Sequence, residues 1–495
     1  MRIIKVEIKN FRAFYNHHIV ELAKVGKRGK QNLLIYGENG SGKSSLLLAL
    51  QYLLESGINN NLEFQHYKNI FAPETDEGYI KFFLRQNLHT AQIVHEWSST
   101  TRTTNDPDII AASQAKGILD YKRLLEVHFI HHKESEVNIF ELLVHSLLGQ
   151  CINDLHPLQK TFPDNWRDLL AIVPKQKNHK RKIAIFEAES QIFNQGLRAK
   201  LNELEQKATE LMNYFGYKIV ISLHFQGITF DNTAKYRDDQ KENCIDNRKI
   251  LLNIKFLERE ISSPHHFLNE AKLSAIAIAL YFSSLLVAPK PQLKLLALDD
   301  IFIGLDMSNR LPLIDIIKDQ FSEYQIFLMT YDREWYEILK QRFDGNKWVF
   351  QELYCGKITD DLEIPVWKQD TDYLDKAQQY LTPTPPQAPD LKASAVYLRT
   401  AFEVILKKFC DKHYLKVKYQ EESKKLTTDD FWQPIIAYKK QDNTEFVSLT
   451  CKQNIELYRS LIMNPLNHAR ITQTYDREIQ EAIDAVKTLK HELGI

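Results

Sequence analysis

The sequence is poor in cysteine, and its cysteines are scattered. Zinc sites and disulfide frameworks usually show closely spaced cysteines, such as a CxxC pair. No CxxC occurs here, so the spacing argues against both and predicts reduced thiols, as in a cytoplasmic protein. The five cysteines are Cys151, Cys244, Cys355, Cys410 and Cys451.

An excess of either charge is also lacking. Lys+Arg 64 equals Asp+Glu 64, so the formal net charge at pH 7 is zero. No global positive field therefore argues for nucleic-acid binding. The strongest local basic run is "PKQKNHKRK", residues 174–182. We interpret it as a solvated loop, with contact to phosphates of DNA or RNA as the alternative.

Long apolar runs are missing as well. The start, "MRIIKVEIKNF", lacks the apolar core of a signal peptide. The most apolar stretch, residues 275–288, includes Tyr281, Ser283 and Ser284 and is too short to span a bilayer. We expect a soluble cytoplasmic protein without a membrane partner, and 495 residues are enough for two or three domains.

Short apolar strands alternate with helices along much of the chain. "NLLIYG", "KLLALDD" and "QIFLMTYD" are each followed by a helical pattern, which predicts an α/β layer with parallel strands. Helical periodicity over 135–215 predicts a small antiparallel projection, and "TPTPPQAPD" predicts a linker. The predicted division is an N-terminal lobe (1–134), a helical insertion or arm (135–215), a C-terminal lobe (216–365), a linker (366–390) and a helical C-terminal interaction domain (391–495).

A phosphate-binding motif follows the strand "NLLIYG". Residues 37–44, "GENGSGKS", match GxxxxGK(S/T) between a strand and a helix, as the motif requires. We call these residues the phosphate loop; its backbone N–H groups would cradle phosphates. Lys43 would reach the β- and γ-phosphates, and Ser44 would ligate Mg²⁺. The predicted nucleotide contacts are Gly37, Asn39, Gly40, Ser41, Gly42, Lys43, Ser44 and Ser45.

The strand "LKLLALDD" supplies the acidic residues that such a loop needs. Asp299 follows a run of mostly aliphatic residues and would hold the magnesium with Ser44. Asp300 stands where a general base would polarise the attacking water. Both carboxylates are therefore predicted to lie at the phosphate loop.

Taken in order, these motifs resemble the ABC-type ATPases of the SMC and RecF class, over about residues 1–345. In "IKNFRAF", Arg12 would by this likeness lie near the nucleotide, and Leu305-Asp306 would form the D-loop. The resemblance implies an α/β fold: an ABC-type (SMC/RecF-like) P-loop ATPase head with a short helical insertion, followed by an all-α C-terminal domain. It also implies ATP and Mg²⁺ as cofactors and a homodimer through the heads.

Several positions depart from the pattern of that class. Its Leu-Ser-Gly-Gly segment, which caps the γ-phosphate held by the other subunit, corresponds here to Leu268-Asn269-Glu270-Ala271-Lys272, which we call the signature segment. Asp300 replaces the usual glutamate, Tyr331 stands at the histidine position, and His132 stands at the Q-loop glutamine position. Losing one transition-state contact can cost about a hundredfold in rate, so we expect ATP binding with slow or regulated hydrolysis.

Longer phrases, including "FLNEAKLSAIAIALYFSSL", look like the PtuA-like ATPases of Septu and retron-linked phage-defence systems. That likeness implies a sensor and scaffold subunit, a higher oligomer and a separately encoded HNH nuclease (PtuB-like) partner. One alternative is a DNA-repair RecF-like ATPase. Another is a self-contained toxin with RNase activity in the C-terminal helices, where Arg459 and His468 lie.

Other motifs receive plainer interpretations. Adjacent histidines on a strand point to opposite faces, so the pairs 17–18, 131–132 and 265–266 predict surface roles, not a metal site. Asp370 and Asp372, with Glu352 upstream, resemble half of a nuclease carboxylate set. A helix N-cap before "YLDKAQQYL" is the better account of them.

Overall fold

The computed structural model forms two compact units, Met1–Lys368 and Gln369–Ile495. We describe each unit separately. The structure describes the chain except residues 23–31, 60, 87–89, 102–105, 116, 121–137, 175–179, 232–240, 262–263, 302–304, 360–361, 369–371, 385–387, 418–426, 441–442 and 464–475, and the side chains of residues 120, 241 and 265.

The first unit contains all the strands in the described part of the chain. They are β1 Arg2–Phe11, β2 Phe14–Glu21, β3 Asn32–Gly37, β4 Tyr79–Arg85, β5 Ile93–Ser98, β6 Gly117–Asp120, β7 Ile219–Phe225, β8 Thr229–Phe230, β9 Ile245–Asp246, β10 Ile250–Phe256, β11 Arg259–Ile261, β12 Leu295–Asp299, β13 Gln325–Thr330, β14 Trp348–Lys357 and β15 Glu363–Trp367.

Helices lie between these strands. The α-helices of the first unit are α1 Lys43–Glu55, α2 Pro107–Gln114, α3 Phe162–Ile172, α4 Lys180–Tyr214, α5 Pro264–Phe267, α6 Glu270–Val287, α7 Met307–Gln320 and α8 Arg333–Arg342. Phe64–Tyr67 and Lys241–Cys244 form 3₁₀ turns, and Leu142–Leu147 forms a π-helical turn.

The central sheet has six strands in the order β15-β14-β3-β13-β12-β6. All neighbours in it are parallel except β14 and β15, so the predicted α/β layer with parallel strands is confirmed. An antiparallel sheet, β2-β1-β4-β5, and a smaller one, β11-β10-β7, complete the unit with the β8-β9 pair. Because β3 and β12 end at one edge, the sheet brings distant chain segments together there.

Both faces of the central sheet are covered. Leu33 and Ile35 on β3 join the core formed with the four-stranded antiparallel sheet and α1. Leu34 between them joins a second core, formed with α4, α6 and α7. On β12, Ala297 joins the first of these cores and Leu298 joins the second. A parallel sheet buried on both faces reads as a continuous apolar run, which is why these strands were predictable.

The described part of the helical insertion packs against the body of the unit. Helix α4 is long and carries many charges on one side, but an apolar face runs almost its whole length. Phe193, Leu204 and Leu211 on that face are buried in the same core as the central sheet. The helix packs on α3, α6 and β7. Burial of this stripe therefore keeps the helix against the body of the unit.

The stretch "ILLNIKFLEREI" forms the two strands β10 and β11. Leu257 and Glu258 adopt positive φ angles of 51° and 66°, which turns the chain between β10 and β11. Helix α6 is the one described helix with the length and apolar character to cross a membrane, and it is mostly buried inside the fold.

The second unit is helical. Its helices are α9 Tyr373–Leu381, α10 Leu391–Lys412, α11 Thr428–Ala437, α12 Leu449–Tyr458 and α13 Asp476–Leu493, with a π-helical turn at Arg459–Met463. They share one hydrophobic core. The all-α C-terminal domain is therefore confirmed.

The expected linker, 366–390, contains helix α9. Asp372 caps this helix, because its side chain accepts a hydrogen bond from the backbone N of Leu374 at 3.1 Å, as predicted. Leu374, Ala377 and Leu381 are buried in the core of the second unit. The sequence alone does not separate α9 from the linker, because its apolar residues pack on helices that are distant from it in the sequence.

Candidate nucleotide site

The phosphate loop lies between the end of β3 and the start of α1, as predicted. Gly40 and Gly42 have φ angles of 85° and 100°, which glycine adopts without the penalty that a side chain brings. Gly42 is also the N-cap of α1. The loop therefore presents backbone N–H groups and a helix N-terminus to one place, the usual arrangement for binding phosphate.

Glycine is also required sterically in the loop. A Cβ on Gly37 would lie 2.5 Å from Ser41 Oγ and 3.0 Å from the carbonyl oxygen of Leu353, and one on Gly42 would lie 2.7 Å from Pro365 Cγ. A Cβ on Gly40 would meet no atom within 4 Å. The loop is thus packed against β14 and β15 at two glycines and open at the third.

Lys43 lies inside the curve of the loop. Its Nζ donates to the carbonyl oxygens of Gly37 and Glu38 at 2.6 and 3.2 Å, and the side chain is only 5% exposed. Asp300 Oδ2 is 3.7 Å from the same Nζ. The buried hydroxyl of Ser41 has no hydrogen-bond partner among the described residues. An ammonium and a spare hydroxyl in this cradle fit the β- and γ-phosphates of a nucleotide.

The predicted metal ligands meet directly. Ser44 Oγ, in the first turn of α1, donates to Asp299 Oδ2 at 2.7 Å, and Asp299 is buried at the end of β12. No group of three or more histidine, cysteine or acidic side chains in the described residues could hold a metal alone. One hydroxyl and one carboxylate fit Mg²⁺, which is usually held by few protein ligands together with phosphate oxygens.

Asp300 is placed for proton chemistry beside Lys43. Its φ angle is 52°, and its Oδ1 accepts a hydrogen bond from the backbone N of Tyr331 at 2.9 Å. Burial raises the pKa of the Asp300 carboxyl, while the charge of Lys43 and the bond from Tyr331 oppose that rise. A raised pKa suits a group that must accept a proton from water. Tyr331 contacts Asp300 through its backbone, and its side chain is 40% exposed.

The turn that contains Arg12 lies against the start of α1. Arg12 has a positive φ of 49°, its backbone N donates to the carbonyl of Tyr67, and its residue is exposed. The backbone N of Ala13, next in the chain, is 3.5 Å from Ser45 Oγ. The neighbour of Arg12 therefore contacts the first turn of α1, next to the phosphate loop.

The remaining predicted contacts are not bonded to the phosphate loop of their own chain. Asn269 caps α6 by accepting from the backbone N of Lys272, and Glu270 is exposed beside it. Asp306 caps α7 and is exposed. Among the described residues, Asn269, Glu270, Ala271 and Asp306 form no hydrogen bond or ion pair with residues 37–45.

Some candidates lie outside the described residues, and others have structural roles. His131, His132, Asp370 and His468 are not described, nor is the centre of the basic run at 175–179. Arg459 is held in ion pairs with Asp429 and Glu456. His18 Nε2 bonds to the carbonyl of Tyr15, whereas His17 lies near Glu7, so these two histidines have separate partners.

One cluster beside the loop contains two cationic residues, Arg333 and Lys368, that had no signal in the sequence. Glu352 on β14 pairs in register with Tyr36 and binds Arg333 at 2.7 Å and Lys368 at 3.0 Å. The guanidinium of Arg333 also lies over the ring of Tyr36. The sequence makes Glu352 a nuclease candidate, but its cationic partners show that it is the centre of an ion-pair cluster next to the phosphate loop.

Comparisons with known proteins agree with this geometry. A family model described as the RecF/RecN/SMC N terminal domain matches residues 2–347, well over half of the chain. No curated protein matches the chain. That family implies ATP, usually with Mg²⁺, as the ligand of the site described above.

Three solved SMC head structures are similar at low identity. An SMC head bound to the C-winged helix domain of ScpA has 14% identity and a TM-score of 0.43, covering 75% of this chain and 99% of that one. The SMC head from Thermotoga maritima has 12% identity and a TM-score of 0.38, covering 74% and 100%.

An SMC head with an extended coiled coil, bound to the C-terminal domain of ScpA and derived from Pyrococcus furiosus, has 15% identity and a TM-score of 0.41, covering 77% and 98%. These TM-scores are too low to support a conclusion about this chain, so the assignment depends on the family model and its agreement with the site. The chain belongs to the RecF/RecN/SMC N-terminal domain family, and its first unit is an ABC-type ATPase head of that family.

Proposed function

We propose that the protein is an ATP-binding scaffold whose two copies face each other head to head, each phosphate loop capped by the signature segment and D-loop of the other. The observation that carries this proposal is that, among the described residues, the two groups of predicted contacts form no hydrogen bond or ion pair with each other within one chain. Lys43, Ser44, Asp299 and Asp300 converge, whereas Asn269 and Asp306 are exposed and unconnected to them. A second copy supplies the missing contacts in such an arrangement.

Hydrolysis in this proposal is slow, and the nucleotide acts mainly to hold the two copies together. Asp300 is one methylene shorter than the glutamate usual in the class, and Asn269 and Ala271 replace Ser and Gly of the signature. When bound, Mg-ATP supplies the negative charge that Lys43 and the loop N–H groups neutralise. The Asp300 carboxylate orients water less closely than a longer side chain does.

At the finer level, the protein acts in the cytoplasm as the sensor and scaffold of an antiphage complex that controls a partner HNH nuclease. The phrase-level likeness to PtuA-like ATPases supports this role. In this proposal nucleotide-dependent pairing of the heads restrains or permits the nuclease, and the helical second unit mediates contact or higher assembly.

ATP-driven pairing is the first test. We expect ATP with Mg²⁺ to convert the wild-type chain from single heads to pairs, as measured by light scattering. Lys43→Ala removes the buried ammonium and is expected to weaken ATP binding about a hundredfold or more and to abolish pairing. Lys340→Ala, on the exposed part of α8, is the matched control and should behave as wild type. Equal pairing of wild type and Lys43→Ala would contradict the proposal.

Phosphate release with and without duplex DNA separates the scaffold from a repair ATPase. The scaffold predicts slow release that DNA changes by less than about twofold, because no DNA-driven step is needed. Strong stimulation by DNA, lost in Lys43→Ala, would support the repair alternative.

Co-expression with an HNH nuclease encoded beside the gene, followed by size-exclusion chromatography, tests whether the two proteins form a complex.

A further inference from the structure

Tyr217 lies between the two segments that the proposed dimer presents to its partner. It follows helix α4 and precedes β7 in the chain. The Nζ of Lys272, in the signature segment, lies 5.2 Å from the centroid of the Tyr217 ring. It is also 5.8 Å from the Phe256 ring, so the ammonium is held over two aromatic faces.

The hydroxyl of Tyr217 reaches the other segment. It donates to Oδ1 of Asn309, in the first turn of α7. The Nδ2 of Asn309 in turn donates to Asp306 Oδ1 at 2.7 Å, and its backbone N donates to the same atom at 3.0 Å. Asp306 is the D-loop aspartate, so one side chain connects the signature segment to the D-loop.

The phenol acts as the donor towards Asn309. Asn309 Oδ1 is an acceptor, because its amide Nδ2 is engaged with Asp306. Burial, with the charge of Asp306, raises the pKa of the Tyr217 hydroxyl above its ordinary value, while the hydrogen bond with Asn309 opposes that rise. Asp306 Oδ1 also accepts a hydrogen bond from Ser308 Oγ at 2.8 Å, so three donors hold this one carboxylate oxygen.

We infer that Tyr217 is a positioning residue that fixes the signature segment and the D-loop relative to each other, so that both reach the partner copy's nucleotide at once. The inference rests on the proposed head-to-head dimer. The Lys272 contact holds the ring and the Asn309 contact holds the hydroxyl. Loss of either contact lets the two segments move independently, and the second copy then meets a less ordered surface.

Tyr217→Phe tests the inference because it keeps the ring and removes only the hydroxyl. We expect the affinity of unpaired heads for a fluorescent ATP analogue to stay within about twofold of wild type. The dissociation constant of the ATP-bound pair should rise about tenfold, since one hydrogen bond is lost at each of two sites. Tyr214→Phe is the matched control: its hydroxyl contacts Asp319 and Gln320 on α7, away from both segments.

Mixed pairs separate a positioning role from general loss of structure. A Lys43→Ala copy cannot fill its own loop, so a mixed pair has one filled site. In the first mixed pair, Tyr217→Phe is in the copy whose own loop holds ATP. That ATP is capped by the other copy, which carries Lys43→Ala and an intact Tyr217. Pairing should therefore equal that of Lys43→Ala mixed with wild type. With both substitutions in one copy, the filled site meets the altered surface, and pairing should weaken about threefold, because only one of the two sites loses its hydrogen bond.

The outcomes are distinct for the inference and for the function on which it rests. Wild-type pairing of Tyr217→Phe, or a defect that follows the copy holding the nucleotide, would overturn the inference while leaving the scaffold intact. Absence of ATP-driven pairing in the wild type would overturn both. If Tyr217→Phe melts more than a few degrees early, Asn309→Ala takes its place. It removes the same hydrogen bond together with the amide bond to Asp306, so it must give a trans defect at least as large.

Discussion

Glu352 is the buried centre of an ion network one strand away from the phosphate loop. Its carboxylate receives hydrogen bonds from Arg333, Lys368 and, at 2.6 Å, the hydroxyl of Tyr354. The side chain of Glu352 is only 9% exposed. Burial alone would raise its pKa, but the bonds from its three partners lower the pKa from 4.5 to about 2. The charged form is therefore the one that the fold stabilises.

A depressed pKa gives this network a pH-dependent share of stability. Because the folded pKa is below the unfolded one, the contribution is present above pH 4.5 and is lost as the pH falls towards about 2. We expect Glu352→Gln to lower the free energy of unfolding by about 1–3 kcal/mol at pH 7, since Arg333 and Lys368 are half exposed and partly screened. Urea titrations at pH 7, 4 and 3 should show this difference shrinking.

Glu337→Gln is the control for that substitution. Glu337 pairs with the same Arg333 at 2.8 Å, but it lies on the surface of α8 with 43% of its side chain exposed. Exposed pairs of this kind contribute less than about 1 kcal/mol. An equal loss in both variants, or a difference for Glu352→Gln that is the same at pH 3 and pH 7, would contradict the buried-network account.

At this scale, prediction from sequence succeeded where the motif is local. Gly37, Gly42, Lys43 and Ser44 lie within one short loop, so their spacing alone predicts the cradle. Asp299 was predictable because an apolar run must end at the sheet edge. Tyr217 had no such signal: its contacts to Lys272 and Asn309 are made across long stretches of chain, and only the packed fold brings them together.

Helix α4 shows at the element scale how packing decides the role of a segment. Gly196 lies near its middle, where glycine normally costs about 1 kcal/mol relative to alanine. A Cβ at Gly196 would lie 1.9 Å from Asn153 Oδ1 and 2.5 Å from Asn153 Cγ. Asn153 is fully buried and its Nδ2 donates to Asn165 at 2.9 Å, so it cannot easily move away.

Gly196→Ala is therefore expected to destabilise the protein in spite of its better helix propensity. We expect a loss of about 1–3 kcal/mol from the forced displacement of Asn153, measured by urea unfolding. Gln195→Ala, exposed on the same helix, is the control and should be neutral or slightly stabilising. Adding Asn153→Ser should reduce the effect of Gly196→Ala, because it removes the atoms in conflict. A stabilising Gly196→Ala would indicate that α4 projects from the first unit instead of packing against it.

The sequence predicted some elements better than others for a physical reason. β12 and β13 are buried on both faces, so their apolar runs identify them. β14 and β15 were not predicted, because β14 is mostly half-buried and its partner β3 is far away in the sequence. The missed pair is important for the site, since Leu353 and Pro365 are the residues that pack against Gly37 and Gly42.

At the scale of the whole molecule, the chain is two units with separate hydrophobic cores. The proline-rich stretch predicts a linker over 366–390, whereas the two compact units divide between Lys368 and Gln369. The apolar face of α9 has the period of an ordinary surface helix, so the sequence alone does not assign this helix to either unit. The core contacts of α9, and the ion pair between Asp372 and Lys490, show that this helix belongs to the second unit.

Each unit is expected to fold without the other. A chain of residues 369–495 should give a helical circular dichroism spectrum and one cooperative unfolding transition, because its core is complete. Residues 1–368 should bind the fluorescent ATP analogue within about twofold of the full chain, because every described loop contact lies in this unit.

A chain of 382–495 is the matched control for the chain of 369–495. It lacks α9, leaves the sites of Leu374, Ala377 and Leu381 uncovered, and should lose about 3 kcal/mol or more. Equal stability of the 369–495 and 382–495 chains would show that α9 is not needed by the second core. Loss of nucleotide binding by 1–368 would show that the nucleotide site needs the second unit.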